Sequence, residues 1–340
     1  MTLRVLHLVG SATSEFLSDL SLVYARDCAL NTADPARYEF HFAFVSADGR
    51  WRFPADLSEQ AIRSAGPMLL PDAMTRLTAL HIDVAVPQMF CIPGMTSYRG
   101  LLDLLQIPYI GNSPDVMAMT ANKALARAVV ASAGVAVPPG EVLRRGDRPS
   151  IAVPAVVKPV DGDNSHGVTL VGDGAEYGNA LASAFAHSDA ALVESFVPLG
   201  REVRCGIIVR DGELICLPLE EYNVDPARKP IRTQDDKISR SNAGELNLVA
   251  KDVSKAWIVD PSDPLTQRVW AVARRCHLAL GCRHYSLFDF RIDPSGQPWF
   301  LEAGLYCSFA AKSVIPVMAK ADGISLRDLF ALGIAESLRS

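Results

Sequence analysis

The stretch FDFRIDPSGQPWFLEAGLYC, from Phe288 to Cys307, places the tightest constraint on how this 340-residue chain can fold. Two apolar arms flank Asp293-Pro294-Ser295-Gly296, a turn-forming run, so the segment reads as strand, turn, strand. A loop centred on Ser295-Gly296 sets Asp289 opposite Glu302 on one face of the hairpin. Facing carboxylates repel, and burial raises the free energy of each ionised form. Either the pair turns to solvent, or a divalent cation sits between the two groups, since hard cations take oxygen ligands.

The first third alternates short β-branched runs (LRVLHLV, FHFAFV, IDVAVPQ, IPYIGN) with helical stretches such as LLDLL. Strands that are apolar throughout and joined by helices imply a parallel sheet covered on both faces, a doubly wound domain over residues 1–112. Ser113 before Pro114 is a helix-start signal, and the helical run that follows closes on Gly134. Near residue 150 the texture becomes strand, loop, strand, with AVVKP, GVTLV and ALVESFV. A long antiparallel region then leads from REVRCGIIVRDGELICLPLEEY into the hairpin, and the segment KSVIPVMAKADGISLRDLFALGIAESL is helical. The polar run NVDPARKPIRTQDDKISRSNAGELN reads as a working loop. At this length more than one core is expected, and the reading is an α/β chain divided at 1–112, 113–192 and 193–340.

Composition excludes several classes. A net charge of −5 and a pI near 5.8 lack the basic footprint of a general nucleic-acid binder. No apolar run reaches the length of a membrane helix. The start MTLRVLHLVG is too short for a leader and has no small-residue cleavage site, so it reads as a first strand. Seven cysteines without a CxxC pair or zinc spacing fit a reducing cytoplasm, and Cys276 and Cys282 read as core packing.

The Walker loop, GxGxxG, GxSxG and HExxH are all absent. Charges in apolar runs stand out instead. Lys158 ends PAVVKP; it either snorkels into water from a strand end or supplies a point charge to phosphate oxygens cradled by the loop VDGDNSHGVTLV. His166 in that loop reads as solvated. Glu194 and Glu202 bracket ESFVPLGRE. Either both are surface glutamates, or LVESFV offers backbone groups to a base and Glu202 offers oxygens to ribose hydroxyls. Lys123, in TANKALARAVV, carries no signal alone.

In order, the segments NSPDVMAMTANKALARAVVASAGVAVPPG, VVKPVDGDNSHGVTLV, LVESFV with GRE, and FDFRID with FLEAG resemble the ATP-grasp ligases of the D-alanine–D-alanine ligase branch. IDVAVPQ, GLLDLLQIPYIGN and KSVIPVMAKADGISLRDL extend the similarity through nearly the whole chain. The resemblance implies an ATP-grasp fold with ATP gripped between two antiparallel lobes. By motif position it implies that Lys123 and Lys158 touch the ATP phosphates and that the loop around Ser165 closes over them. Ser195, Phe196 and Val197, next to Glu194, would meet adenine through backbone. Glu202 would bind ribose, and Asp289 with Glu302 would hold Mg²⁺. Lys237 and Ser313 match acceptor-site positions and join Ser165 in the expected catalytic set, while Asp19 takes the acidic position that binds an amino group.

Two positions depart from the family pattern. Dipeptide ligases have Glu-x-Asn where Glu302-Ala303-Gly304 stands, and an arginine two residues before the first metal aspartate, where this chain has Leu287. A leucine cannot stabilise an oxyanion. QMFCIPGMTSYRG also replaces a polar glycine-rich loop, so the resemblance points to an acceptor larger and less polar than D-alanine, bounded by Leu287 and Gly304. LHLVGSATSEFLSDLSLVYARDC, PQMFCIPGMTSYRG and FLEAGLYCSFAAKSVIP resemble one cytosolic branch of the family, that of mycosporine-like amino acid synthesis. This implies phosphorylation of the ring ketone oxygen of mycosporine-glycine, then condensation with serine, threonine or glycine to an imine, with release of ADP and phosphate. The implied cofactors are ATP and Mg²⁺, and the family implies a homodimer. The alternatives are a dipeptide ligase working through an acyl phosphate and a non-catalytic nucleotide-binding module.

Overall fold

The computed structural model describes residues 2–162, 166–225, 231, 239–240, 246–247, 254–304 and 306–339. Strand β1 (Leu3–Gly10) is buried from Val5 to Gly10 without alternation, as a strand covered on both faces must be. It pairs in parallel with β2 (Tyr38–Val45) and β4 (Val84–Pro87), and β3 (Trp51–Arg52) adds an antiparallel edge in the order β3-β2-β1-β4. Helices α1 (Glu15–Thr32), α2 (Glu59–Ser64) and α3 (Leu70–Ala79) connect these strands, and α4 (Ile92–Met95) and α5 (Ser97–Leu104) follow β4. Leu6, Leu8 and Ala85 pack with Leu77 of α3 and Leu102 of α5; on the other face Val5, Val84 and Val86 meet Cys28 of α1. The expected strand at IPYIGN is a single bridge between Ala85 and Tyr109. Pro108 has no N–H to extend the ladder, and Gly111, with φ +108°, turns the chain away.

The expected helix after Ser113 is two: α6 (Pro114–Ala121) and α7 (Lys123–Ser132). Asn122 is extended, its side chain accepts from Leu125 N at 3.0 Å, and its backbone bridges Asp161. A residue that both caps a helix and pairs as a strand breaks the run. The break puts Lys123 at the first position of α7, its N–H donating to Val160 O at 2.8 Å.

A second sheet, wholly antiparallel, joins β5 (Gly140–Arg144), β6 (Ala155–Pro159), β7 (Thr169–Val171) and β8 (Ala190–Ser195) in the order β5-β8-β6-β7. Helix α8 (Tyr177–Phe185) covers one face, setting Ala180, Ala184 and Phe185 on Val157 and Val193. The third sheet holds β9 (Arg201–Arg210), β10 (Glu213–Cys216) and β11 (Glu220–Tyr222). Strands β12 (Ser239–Arg240) and β13 (Leu246–Asn247) pair separately. Then β14 (Ala256–Ile258), β15 (Tyr285–Ile292) and β16 (Pro298–Gly304) complete the order β14-β11-β9-β15-β16, with β10 on β9. Helix α9 (Pro264–Ala279) packs on Val203, Cys205, Phe288 and Phe290. Helices α10 (Val314–Ala321) and α11 (Leu326–Ser337) fill the space between the other face and the first sheet, where Met318 and Phe330 share a core with Ile208, Leu287, Val5 and Val84. All seven cysteines are unpaired thiols, and Cys276 and Cys282 sit in or against the α9 core. Among the described residues no helix is long and apolar enough to cross a membrane.

Candidate active site

The hairpin reaches its expected pairing by an unexpected route. Near the turn the pairs are Ile292–Pro298 and Phe290–Phe300, one residue off a loop centred on Ser295-Gly296. Leu301 is then an extra residue on β16, and beyond this bulge the pairs become Asp289–Glu302, Phe288–Ala303 and Leu287–Gly304. In an unbulged ladder Asp289 would face Leu301, and Glu302 would fall on the apolar face under α9. The bulge is what brings both carboxylates to one side.

Each carboxylate already meets a cation. Asp289, 3% exposed, accepts two bonds from Arg204 on the adjacent β9 strand, Nε–Oδ1 at 2.5 Å and Nη2–Oδ2 at 3.1 Å. Lys123 Nζ lies 3.9 Å from Glu302 Oε2 and also donates to Gly162 O. No group of three His, Cys, Asp or Glu side chains is placed to hold a metal among the described residues. Two carboxylates on one face are nonetheless the donor set Mg²⁺ uses when phosphate oxygens and water complete its shell, rather than an all-protein cage. The pair fits a cation that arrives with a nucleotide.

The second sheet supplies the opposite wall. Lys158 is 7% exposed, its Nζ 2.6 Å from Glu194 Oε2, so it is a buried cation and not a snorkelling strand end. Arg127 Nε approaches Glu194 Oε1 at 3.1 Å, so Glu194 holds two cations at once. In the next residues, Ser195 N donates to Pro139 O and Phe196 N to Pro154 O, at 2.8 and 2.9 Å, so any backbone contact with a base falls to the carbonyls and to Val197. Those bonds continue the sheet and take both amides out of the set that could meet a base. Glu202 accepts from Arg291 Nη2 at 2.6 Å, and the Arg291 guanidinium lies 5.2 Å from the Phe196 ring centroid.

Lys123, Lys158, Glu194, Ser195, Phe196, Val197, Glu202, Asp289 and Glu302 line one cleft between the second and third sheets, together with Gly162, Arg291 and Leu301. His166 lines it too, half-buried rather than solvated. Leu287 and Gly304 are the next pair on the same face of the ladder as Asp289 and Glu302. A Cβ on Gly304 would lie 3.0 Å from Leu287 Cβ and Cδ2, so the two departures from the family pattern form one packing unit. Asp19 is exposed on α1, and Ser313 stands at the N-cap of α10 with its hydroxyl against that of Ser308; neither is brought to this cleft. Ser165 and Lys237 lie outside the described residues. Sequence reasoning missed Arg204 and Arg291. Their signal was the period of two: Glu202 with Arg204, and Asp289 with Arg291, each place two charges on one strand face.

Two antiparallel sheets closing on a cleft lined by lysines and paired carboxylates are the arrangement of the ATP-grasp class of fold. Residues 130–334 match the family described as D-ala D-ala ligase C-terminus, and the chain belongs to that family. It is 32% identical over 260 residues to a D-alanine–D-alanine ligase of Geobacter sulfurreducens, covering 73% of this chain and 75% of that one. It superposes on the VanG D-Ala:D-Ser ligase of Enterococcus faecalis with a TM-score of 0.78 at 21% identity, over 99% of this chain and 100% of that one. Against the D-alanine–D-alanine ligase of Bacillus anthracis complexed with ATP the TM-score is 0.71 at 19% identity, over 99% and 98%.

Proposed function

We infer that this chain is an ATP- and Mg²⁺-dependent, ADP-forming ligase that makes a carbon–nitrogen bond, its nucleotide gripped between lobes 113–192 and 193–340. The observation that carries the reading is the single cleft in which Lys123 and Lys158 face Asp289 and Glu302. Lys123 and Lys158 meet the phosphates, Glu202 the ribose, and Asp289 with Glu302 hold Mg²⁺, which when bound neutralises charge on the transferred phosphoryl group. Lys237, Ser313 and Asp19 are proposed for the acceptor side, and Ser165 for the phosphate side of the catalytic set. The residues act chiefly by positioning reactants and excluding water from a phosphorylated intermediate.

For the acceptor, kinship supports an amino acid: the relatives above are named D-alanine–D-alanine and D-Ala:D-Ser ligases. Such a reaction phosphorylates a carboxylate and lets an amine displace phosphate. One observation favours a second reading. The Leu287–Gly304 packing unit puts apolar atoms, and no cation, at the ladder position where the family pattern has an oxyanion-holding arginine. It suits the electron-rich ketone oxygen of mycosporine-glycine, a vinylogous amide, with serine, threonine or glycine as the amine and an imine as product. A coupled ADP assay with mass spectrometry separates the two. Turnover on D-alanine alone, giving the dipeptide, supports the first reading; turnover that needs both mycosporine-glycine and an amino acid replaces it with the second. No substrate-dependent ADP release would leave only a nucleotide-binding module. The seven unpaired thiols support a cytoplasmic setting, and a homodimer is proposed from the family alone.

A further inference from the structure

We propose that Arg204 is a positioning residue for the cation site: it holds Asp289 while no divalent cation is bound and passes to Glu220 when one takes Asp289. Strand β9 lies between β15 and β11, and the cross-strand partners of Arg204 are Asp289 on one side and Glu220 on the other. Both carboxylates are 3% exposed. Both Asp289 oxygens accept from the guanidinium. Its carbon lies 5.3 Å from the centroid of the Tyr222 ring, and the Tyr222 hydroxyl donates to Glu220 Oε2 at 2.6 Å. The guanidinium therefore rests beside an aromatic face with a fixed carboxylate on either flank.

The electrostatics require a movement. A divalent cation needs at least one Asp289 oxygen, and a guanidinium sharing that carboxylate in a poorly screened interior is repelled by the new charge. Glu220, one strand away, offers the displaced guanidinium a buried carboxylate partner. Arg204 thus offsets the Asp289 charge while the site is bare and keeps that carboxylate aimed, and it sets how readily a cation enters without a nucleotide. The proposal rests on the reading of Asp289 as a metal ligand.

Mn²⁺ binding to the nucleotide-free protein, followed by electron paramagnetic resonance at pH 8, tests it without reference to turnover. Arg204→Met should bind Mn²⁺ roughly tenfold more tightly than the parent, because a bidentate competitor is gone. Arg204→Lys should fall between the two, and Glu220→Gln should bind several-fold more weakly, because the displaced arginine loses its second partner. If Arg204→Met is not folded by circular dichroism, Glu220→Gln decides: unchanged affinity overturns the proposal. Asp289→Asn controls for the underlying reading. If it binds Mn²⁺ with ADP as tightly as the parent, the metal assignment is wrong; if it loses binding while the Arg204 and Glu220 variants match the parent, only the role of Arg204 is wrong.

Discussion

Arg204 pairs with Asp289 through two bonds, whereas Lys123 stands 3.9 Å from Glu302, and the difference separates two substitutions that look alike on paper. Asp289→Asn takes the charge from a buried pair and leaves a guanidinium facing a neutral amide. It should lower stability by about 3 kcal/mol as well as abolish ADP release. Glu302, with 31% of its side chain exposed, loses little on becoming glutamine, so Glu302→Gln should abolish turnover with an unfolding midpoint close to the parent's. Chemical denaturation beside the ADP assay checks both, and a Glu302→Gln enzyme with near-parental kcat at saturating Mg²⁺ would remove that residue from the metal site. Of the site's charges, Lys158, Asp289 and Glu302 were legible in sequence because each interrupts an apolar run. Arg204 and Arg291 were not, since their meaning depends on which strand lies alongside.

At the scale of elements, the β15–β16 hairpin ties the geometry of the carboxylate pair to packing. The Leu301 bulge aligns Asp289 with Glu302, and the same register sets Leu287 against Gly304. Gly304→Asn, which restores the family residue, must push its Cβ into Leu287 and should cost about 1–3 kcal/mol. Leu287→Ala alone should cost a comparable amount through the cavity it leaves. The double variant should recover part of the Gly304→Asn loss, because removing the Leu287 Cδ2 relieves one of the two close contacts while the Cβ remains. Thermal melts of the four proteins measure this coupling, and simple additivity would show that the two positions do not form a unit. Helix α7 makes a second point: the start signal at Ser113-Pro114 and the stop at Gly134 gave one helical run, but Asn122 serves as both cap and bridge and breaks it beside Lys123.

Over the whole molecule, three buried histidines join distant parts. His7 bonds Gln88, His277 bonds Ser286, and His284 Nδ1 accepts from Gly111 N, linking the end of the first region to the third sheet. Burial pushes all three down to about 4, aided at His284 by the positive charges of Arg283 and Arg99. The sign follows from proton uptake. Between pH 6.5 and about 4 the unfolded chain binds protons that the folded chain refuses, so stability is full above pH 7 and falls as the pH drops through that window. The loss approaches about 3 kcal/mol per histidine near pH 4. Denaturant midpoints at pH 7.5 and 5 should show this decline, and His284→Gln should make it shallower; a pH-independent midpoint over this range would contradict it.

Sequence alone determined the kinds of element and the residue types at the cleft: apolar runs can only be buried strands, and charges inside them need partners. It also determined the family, since ordered motifs survive where overall identity does not. Tertiary structure decided the pairings. Whether Asp289 meets Glu302 depends on one extra residue, Leu301, whose outward step is set by the ladder rather than by local propensity. Whether its charge is balanced depends on Arg204, 85 residues away in sequence and one strand away in space. Such contacts are set by sheet order, and sheet order is a property of the packed whole.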